Sequence, residues 1–255
     1  MPELYSLHIL DMAIVERYVA AVTGAAEPDS VIPDVPEWSA DLVRRARIGF
    51  ERANAGQKEG ANIISFGLAQ ALATTHPTFL LPNAGLTAWE ARTDRGIGML
   101  MRPPSRLFGE AGLPIPIARA MPIRVDPDMS MMGGAHIPAR LIPNLQSLLD
   151  TKAERLVRRL VEAEYDGVTL VGMMIEAADT AAAQNAGLYE ALDVIVPEAP
   201  EGDPPGARVI APGRNRIPAE LRFRLEEAAK PPKKPGFFER LFRRGAREGE
   251  FPGNV

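Results

Sequence analysis

The residue types best suited to binding an anion are concentrated between residues 92 and 142. This stretch carries seven arginines, six of the ten methionines and one of the three histidines. Arginine presents a planar fork of donors that can clamp a carboxylate or a phosphate. Two adjacent glycines can turn successive backbone N–H groups towards an anion, and a histidine can shuttle a proton. The candidate anion-binding residues are Arg102, Arg106, Arg124, Gly133, Gly134 and His136.

The same stretch also has an ordinary structural interpretation. A Gly-Gly pair is more often a turn or a bulge, arginines at alternate strand positions more often form a solvated face, and methionines often fill gaps in a core. No phosphate-binding loop or dinucleotide fingerprint is present, because Gly96 and Gly98 are not followed by the third glycine. An enzyme or small-molecule binder with an arginine-rich pocket is therefore the second of two functional interpretations.

Other groups that could perform catalysis are dispersed. Two acidic pairs have i, i+3 spacing on predicted helices, Glu176 with Asp179 and Glu190 with Asp193. Such pairs can hold Mg²⁺ or do acid–base work, but neither has a histidine nearby in sequence, so exposed helix acids are the better interpretation. The chain has no cysteine, and its three histidines lack metal-ligand spacing. The sequence therefore predicts no metal and no cofactor, and it disfavours an enzyme.

The C-terminal stretch, residues 230–255, has a different chemical character. It carries seven Lys or Arg and three Glu, a net charge of +4, whereas the whole chain has −4 and residues 1–229 therefore carry −8. A Pro/Lys-rich spacer precedes a short amphipathic segment that would share an apolar face if helical. The candidate docking residues are Phe237, Phe238, Arg240, Leu241, Phe242, Arg243 and Arg244.

This charge asymmetry favours a second binding partner. Eight residues are too few for a stable helix in water, so any helix would form on binding. Basic side chains near anionic lipid contribute about 1 kcal/mol each, which predicts weak, reversible attachment to a protein groove or to an anionic membrane surface. A solvated tail, or one that folds back on the acidic body, is the plain alternative. The acidic body disfavours nucleic acid as a partner.

The 24 prolines indicate which elements position these residues. None falls between residues 37 and 76 or between residues 144 and 196, and long helices are expected there because an interior proline costs a helix about 3 kcal/mol. Apolar residues at helical spacing predict helices over residues 3–22, 39–55, 60–75, 143–164, 176–187 and 218–230.

Short apolar or alternating runs, broken by Pro and Gly, predict a β-rich, antiparallel middle. The predicted strands cover residues 78–81, 96–102, 115–125 and 130–142, and later residues 191–196 and 208–211. Residues 168–174 fit either a strand or the start of the next helix. N-terminal helices, then strands, then helix–strand–helix elements and a flexible basic tail favour an α+β fold.

The pattern divides the chain into an N-terminal helical segment (1–59), an α+β body (60–229) and a basic tail (230–255). The start lacks a secretory signal pattern, and no apolar window approaches the roughly 20 residues of a membrane span. We therefore expect a cytoplasmic protein, free or at the membrane periphery. The favoured function is a non-catalytic scaffold, adaptor or assembly subunit whose tail docks on a partner protein, and the oligomeric state stays open.

Overall fold

Five strands and nine α-helices form in the part of the chain that the computed structural model describes, residues 4–81, 95–122, 125–126, 128, 131–195 and 204–231. The strands are β1 (Tyr5–Leu10), β2 (Pro77–Leu81), β3 (Met132–Ile137), β4 (Gly187–Leu192) and β5 (Arg208–Ile210). The helices are α1 (Met12–Val22), α2 (Pro36–Asn54), α3 (Glu59–Thr75), α4 (Arg95–Leu100), α5 (Pro104–Glu110), α6 (Ile115–Arg119), α7 (Ile142–Glu162), α8 (Gly167–Ala183) and α9 (Ala219–Ala229). The predicted α+β class is confirmed.

The strands form one mixed sheet in the order β3-β4-β1-β2-β5. All neighbours are antiparallel except β2 and β5, which are parallel. Two hydrophobic clusters line the sheet: one includes α1 to α3 with α5 and α6, and the other includes α7 to α9. Because side chains alternate along a strand, β1 supplies Leu7 and Ile9 to the second cluster and Leu10 to the first. The sheet is thus covered by helices on both faces.

The chain begins differently from the predicted helix over residues 3–22. Residues 5–10 are the central strand β1, and α1 starts only after Asp11, whose side chain accepts a 2.8 Å hydrogen bond from the Ala13 N–H. Aspartate at this position satisfies one of the free N–H groups of the first turn. The first half of the prediction was wrong because a strand buried on both faces carries apolar residues that also fit helical spacing.

Two of the predicted middle strands are helices. Residues 96–102 lie largely in α4, and residues 115–119 form α6. Pro116 occupies the first turn of α6, where the missing N–H breaks no intrahelical bond. In the described part of residues 92–142 only β3 is a strand, and it pairs antiparallel with β4.

Residues 168–174 belong to helix α8. The Asp166 carboxylate begins this helix by accepting from the Thr169 N–H (3.3 Å) and from its hydroxyl (2.7 Å). The helix is buried on most sides, which explains why its sequence has no clear amphipathic period. The helices predicted over residues 39–55, 60–75, 143–164 and 218–230 are confirmed, as are the strands over 78–81 and 208–211; the strand predicted at 191–196 runs instead from Gly187 to Leu192.

Strand β1 lies between β4 and β2 in the sheet. Residues from the 1–59 and 60–229 segments therefore share one sheet, and the division into three segments remains a sequence-based prediction. Among the helices of the described residues, none combines the length and the apolar character that crossing a bilayer demands.

Candidate functional site

Two of the candidate anion-binding residues, Arg102 and His136, are brought together by a backbone bridge. After α4 the chain runs beside β3, where the Arg102 N–H donates to the His136 carbonyl (2.7 Å) and the His136 N–H donates to the Arg102 carbonyl (3.0 Å). Pro103 and Pro104 then start α5. Because α5 begins immediately after the bridge, Arg106 and Glu110 lie within electrostatic range of the His136 side chain.

His136 is a buried histidine. Its side chain belongs to a residue that is only 3 % exposed, and within the described ranges its Nδ1 atom has no hydrogen-bond partner. Burial lowers the pKa of this imidazole to about 4; the Glu110 carboxylate acts in the opposite direction, whereas the Arg102 and Arg106 guanidinium groups reinforce the decrease. The imidazole is therefore neutral at pH 7, with one ring nitrogen unmatched.

The surroundings of His136 carry a net positive charge. Arg106 Nε donates to Glu110 Oε1 at 2.8 Å, and the two side chains are 50 % and 52 % exposed. Arg140, in the 3₁₀ turn that follows β3, also acts on the Glu110 carboxylate. The hydrogen bond from Arg106 is the main cause that lowers the pKa of Glu110, followed by the charges of Arg106, Arg140 and His136. One carboxylate thus lies within range of two guanidinium groups and an imidazole.

Arg102 has a structural role beside this group. Its Nη1 donates to the Met99 and Met101 carbonyls, at 2.7 Å each, and so satisfies free carbonyls at the end of α4. Guanidinium has five N–H donors, so two bonds from one nitrogen do not exhaust it. Arg102, Arg106 and His136 are close in space, as the anion-site hypothesis requires.

Gly133 and Gly134 are packing residues within β3. A Cβ atom on Gly133 would lie 2.0 Å from the Tyr189 hydroxyl and 2.8 Å from the Ser65 carbonyl oxygen. The Gly133 N–H donates to Ser65 Oγ (3.1 Å), so it does not point a free donor at an anion. A Cβ atom on Gly134 would lie 2.5 Å from Val125 Cγ2. The strand register shifts between Gly133 and His136, which agrees with the bulge interpretation of the glycine pair.

Several predicted site residues lie outside the described residues. They are Arg124 of the anion site and Phe237, Phe238, Arg240, Leu241, Phe242, Arg243 and Arg244 of the tail.

A polar group in the core was missed by the sequence analysis. His8 of β1 is fully buried, and its ring nitrogens hydrogen-bond with Ser6 Oγ (2.9 Å, Nε2) and Thr78 Oγ1 (3.1 Å, Nδ1). Ser6 Oγ donates to the Ala191 carbonyl (3.3 Å), so it accepts from Nε2–H while Thr78 donates to Nδ1. Burial lowers the pKa of His8 to about 3. The alternation of Ser6 and His8 with apolar residues was the signal for a strand.

The two predicted acidic pairs differ in the fold: Glu176 and Asp179 lie one turn apart on α8, as predicted, but their carboxylates have different partners. Glu176 forms an ion pair with Arg216, and Asp179 accepts a 2.8 Å hydrogen bond from Gln146. Glu190 is buried within β4, so the helix spacing assumed for it and Asp193 was wrong. In the described ranges no three His, Asp or Glu side chains are grouped closely enough to hold a metal ion.

An apolar groove of about 850 Å³ lies between α7 and α9. Its apolar wall includes Phe223, which is 65 % exposed, and Val161, which is 38 % exposed. Charged residues surround it, with Arg224 paired to Glu154 at 3.2 Å. Lys230 and Pro231, the first two residues of the tail and the last that are described, also line this groove. The groove therefore meets the tail where the tail begins.

Comparison of the chain with protein-family models, with curated proteins and with solved structures finds no match in any of the three.

Proposed function

We propose that this protein is a non-catalytic adaptor or assembly subunit, which binds a partner protein through the α7–α9 groove and the basic tail that starts at its edge. The observation that carries the proposal is the position of Phe223. This aromatic side chain is 65 % exposed inside a groove of about 850 Å³ that Pro231 also lines. The groove thus includes the start of the tail that carries the predicted docking segment in its sequence.

The chemistry of the groove suits a protein partner. Full burial of an exposed Phe contributes about 1.5–3 kcal/mol, and aromatic side chains in the centre of an interface often dominate its affinity. The charged rim, including the Glu154–Arg224 pair, surrounds this apolar centre. The tail adds a net charge of +4, which favours a partner with an acidic surface. We place this function in the cytoplasm, free or at the membrane periphery.

The test is an affinity purification from native lysate, followed by binding measurements with each purified candidate. The full chain is compared with a truncation after Pro231, with Phe223→Ala and with Ile115→Ala. Ile115 is a matched control because it is an apolar residue 64 % exposed on α6, outside the groove lining. A true partner binds the control normally and binds both the truncation and Phe223→Ala about 10- to 100-fold more weakly, the range expected for an interface hot spot.

Two results contradict the proposal. If the truncation and Phe223→Ala retain every partner with unchanged affinity, neither surface is a docking site. If the full chain sediments with vesicles of anionic phospholipid and captures no protein through Phe223, the tail binds membrane instead. Circular dichroism of each variant checks that the body is folded. We expect it to be, because the substituted side chains are exposed.

A further inference from the structure

We propose that the body has a second binding site, for a small oxyanion of the carboxylate or phosphate class, beside the Arg106–Glu110 ion pair, with Arg140 and the buried His136 as the neighbouring groups. The site is independent of the groove and of the tail. It lies between α5, the end of β3 and the 3₁₀ turn Ala139–Leu141.

The first argument is what occupies the site now. A carboxylate, that of Glu110, accepts a 2.8 Å hydrogen bond from Arg106 and lies within electrostatic range of Arg140 and His136. An oxyanion from solution has the same charge and the same acceptor geometry, and it can accept a bidentate pair of bonds from guanidinium. Glu110 is therefore an internal competitor, and the groups around it are the recognition elements.

The second argument is His136. The residue is 97 % buried, being 3 % exposed, and its Nδ1 has no hydrogen-bond partner in the described part of the chain. A buried polar atom without a partner is costly, so native proteins seldom keep one without a reason. The Glu110 carboxylate makes no hydrogen bond with Nδ1, whereas an oxyanion seated closer to the ring would accept one in the tautomer that carries its hydrogen on Nδ1.

The third argument is that replacing the Glu110 carboxylate by an anion from solution costs little free energy. Arg106 and Glu110 are each about half exposed, and an exposed ion pair contributes only about 0–1 kcal/mol. The Glu110 side chain can therefore move into solvent while Arg106 keeps a negatively charged partner. Arg102 also adds to the positive potential at His136, which favours the incoming anion over water.

The three histidines make a sensitive test, because the chain has no others. The ring Cε1–H signals of the full-length protein are followed by two-dimensional NMR during a titration with inorganic phosphate, and in a parallel titration with acetate. Sodium chloride keeps the ionic strength constant. The His136 signal should shift in a saturable way and its titration midpoint should rise from about 4, while the His8 signal, from a histidine buried between Ser6 and Thr78, should stay in place. The anion that binds more tightly identifies the class.

Charge variants of opposite sign distinguish binding from general electrostatics. Glu110→Gln removes the competitor and should tighten binding about fivefold, whereas Arg106→Gln and Arg140→Gln should each weaken it about tenfold or more. Asp41→Asn and Arg44→Gln are matched controls, since Asp41 and Arg44 form an exposed ion pair on α2. Both should leave the affinity unchanged.

The proposal is overturned if neither anion shifts His136 saturably in the Glu110→Gln variant, or if Asp41→Asn tightens binding as much as Glu110→Gln does. It also fails if Glu110→Gln weakens binding, because Glu110 would then support the site rather than compete for it. Each variant counts as folded if its remaining NMR signals match those of the wild type. Failure of this site leaves the groove proposal intact, since the two share no residue.

Discussion

His8 and His136 lie in one row across the sheet, yet their surroundings differ. His8 pairs with Tyr189 on β4, and Tyr189 pairs with His136 on β3, so the three side chains share one face. Both histidines are almost completely buried. His8 uses both ring nitrogens in hydrogen bonds with hydroxyl groups, whereas His136 Nδ1 finds no partner among the described residues and has charged groups within range. Equal burial thus accompanies two different chemical environments.

The difference teaches how to separate a structural histidine from a candidate binding residue. A neutral imidazole has one donor and one acceptor nitrogen, and Ser6 and Thr78 satisfy both in His8. In the described residues His136 has no such closed arrangement, and it lies within electrostatic range of Glu110, which accepts a hydrogen bond from Arg106. Burial alone identifies neither role, and the partners of the ring nitrogens decide between them.

The largest effect we expect is a loss of protein stability in mild acid, to which both histidines contribute. Their pKa values in the folded protein are about 3 and about 4, below the ordinary 6.5. The unfolded chain therefore binds more protons than the folded one as the pH falls below 6.5, and folding becomes less favourable. Between pH 7.5 and pH 5 each histidine should remove about 2 kcal/mol from the free energy of unfolding. Urea denaturation across this range measures the sum, about 4 kcal/mol.

Variants separate the two contributions. His136→Leu should lose only about half as much stability between pH 7.5 and pH 5 as the wild type, because one titrating group remains buried. His76 is partly buried and has a lowered pKa, so His76→Gln should reduce the loss by a smaller amount. Carboxylates with lowered pKa values add their losses mainly below pH 5. A wild-type stability that stays flat between pH 7.5 and pH 5 would contradict the burial of both imidazoles.

The same substitution at the two histidines should have different consequences at neutral pH. His8→Leu removes the acceptor of the Thr78 hydroxyl in the core. An unmatched buried hydroxyl costs about 1–3 kcal/mol. With the loss of packing included, we expect about 3 kcal/mol of destabilisation. His136→Leu removes an imidazole whose Nδ1 is already unmatched, and the change should lie within about 1 kcal/mol of zero. Urea denaturation at pH 7.5 measures both values. Equal destabilisation by the two substitutions would show that the two histidines do not differ in their hydrogen bonding.

The sequence predicted the class of the fold and the proximity of three site residues, but it did not predict the two histidines' environments. The clustering of arginines around His136 is visible in one short stretch of chain, so Arg102, Arg106 and His136 could be grouped without a structure. Glu110 was missed because its importance depends on where α5 is placed, and residues 104–110 carry no long helical pattern. Short helices that begin at prolines are the elements that periodicity detects least well.

The polar group around His8 was beyond local sequence reasoning for a different reason. Thr78 is 70 residues from His8, and only the β1–β2 register brings the two together. That register follows from the packing of the whole sheet between two layers of helices. The role of Gly133 has the same origin, because its close neighbours, Tyr189 and the Ser65 carbonyl, come from β4 and α3.

A smaller effect than the destabilisation expected for His8→Leu, and the one that connects the two histidines, concerns Gly133. Tyr189 lies between them and donates its hydroxyl to the Ser65 carbonyl at 3.2 Å. A methyl group at Gly133 would lie 2.0 Å from that hydroxyl, so Gly133→Ala must displace Tyr189 or β3. Overpacking of this kind costs about 1–3 kcal/mol, and we expect about 2 kcal/mol by urea denaturation, together with NMR shifts of the ring signals of both histidines. Gly213→Ala is the control: its backbone is extended and nothing lies within 4 Å of the added carbon, so stability should not fall and both ring signals should stay in place. If Gly133→Ala shifts the His136 signal alone, Tyr189 does not couple the two environments, and the row across the sheet is a geometric coincidence rather than one packed unit.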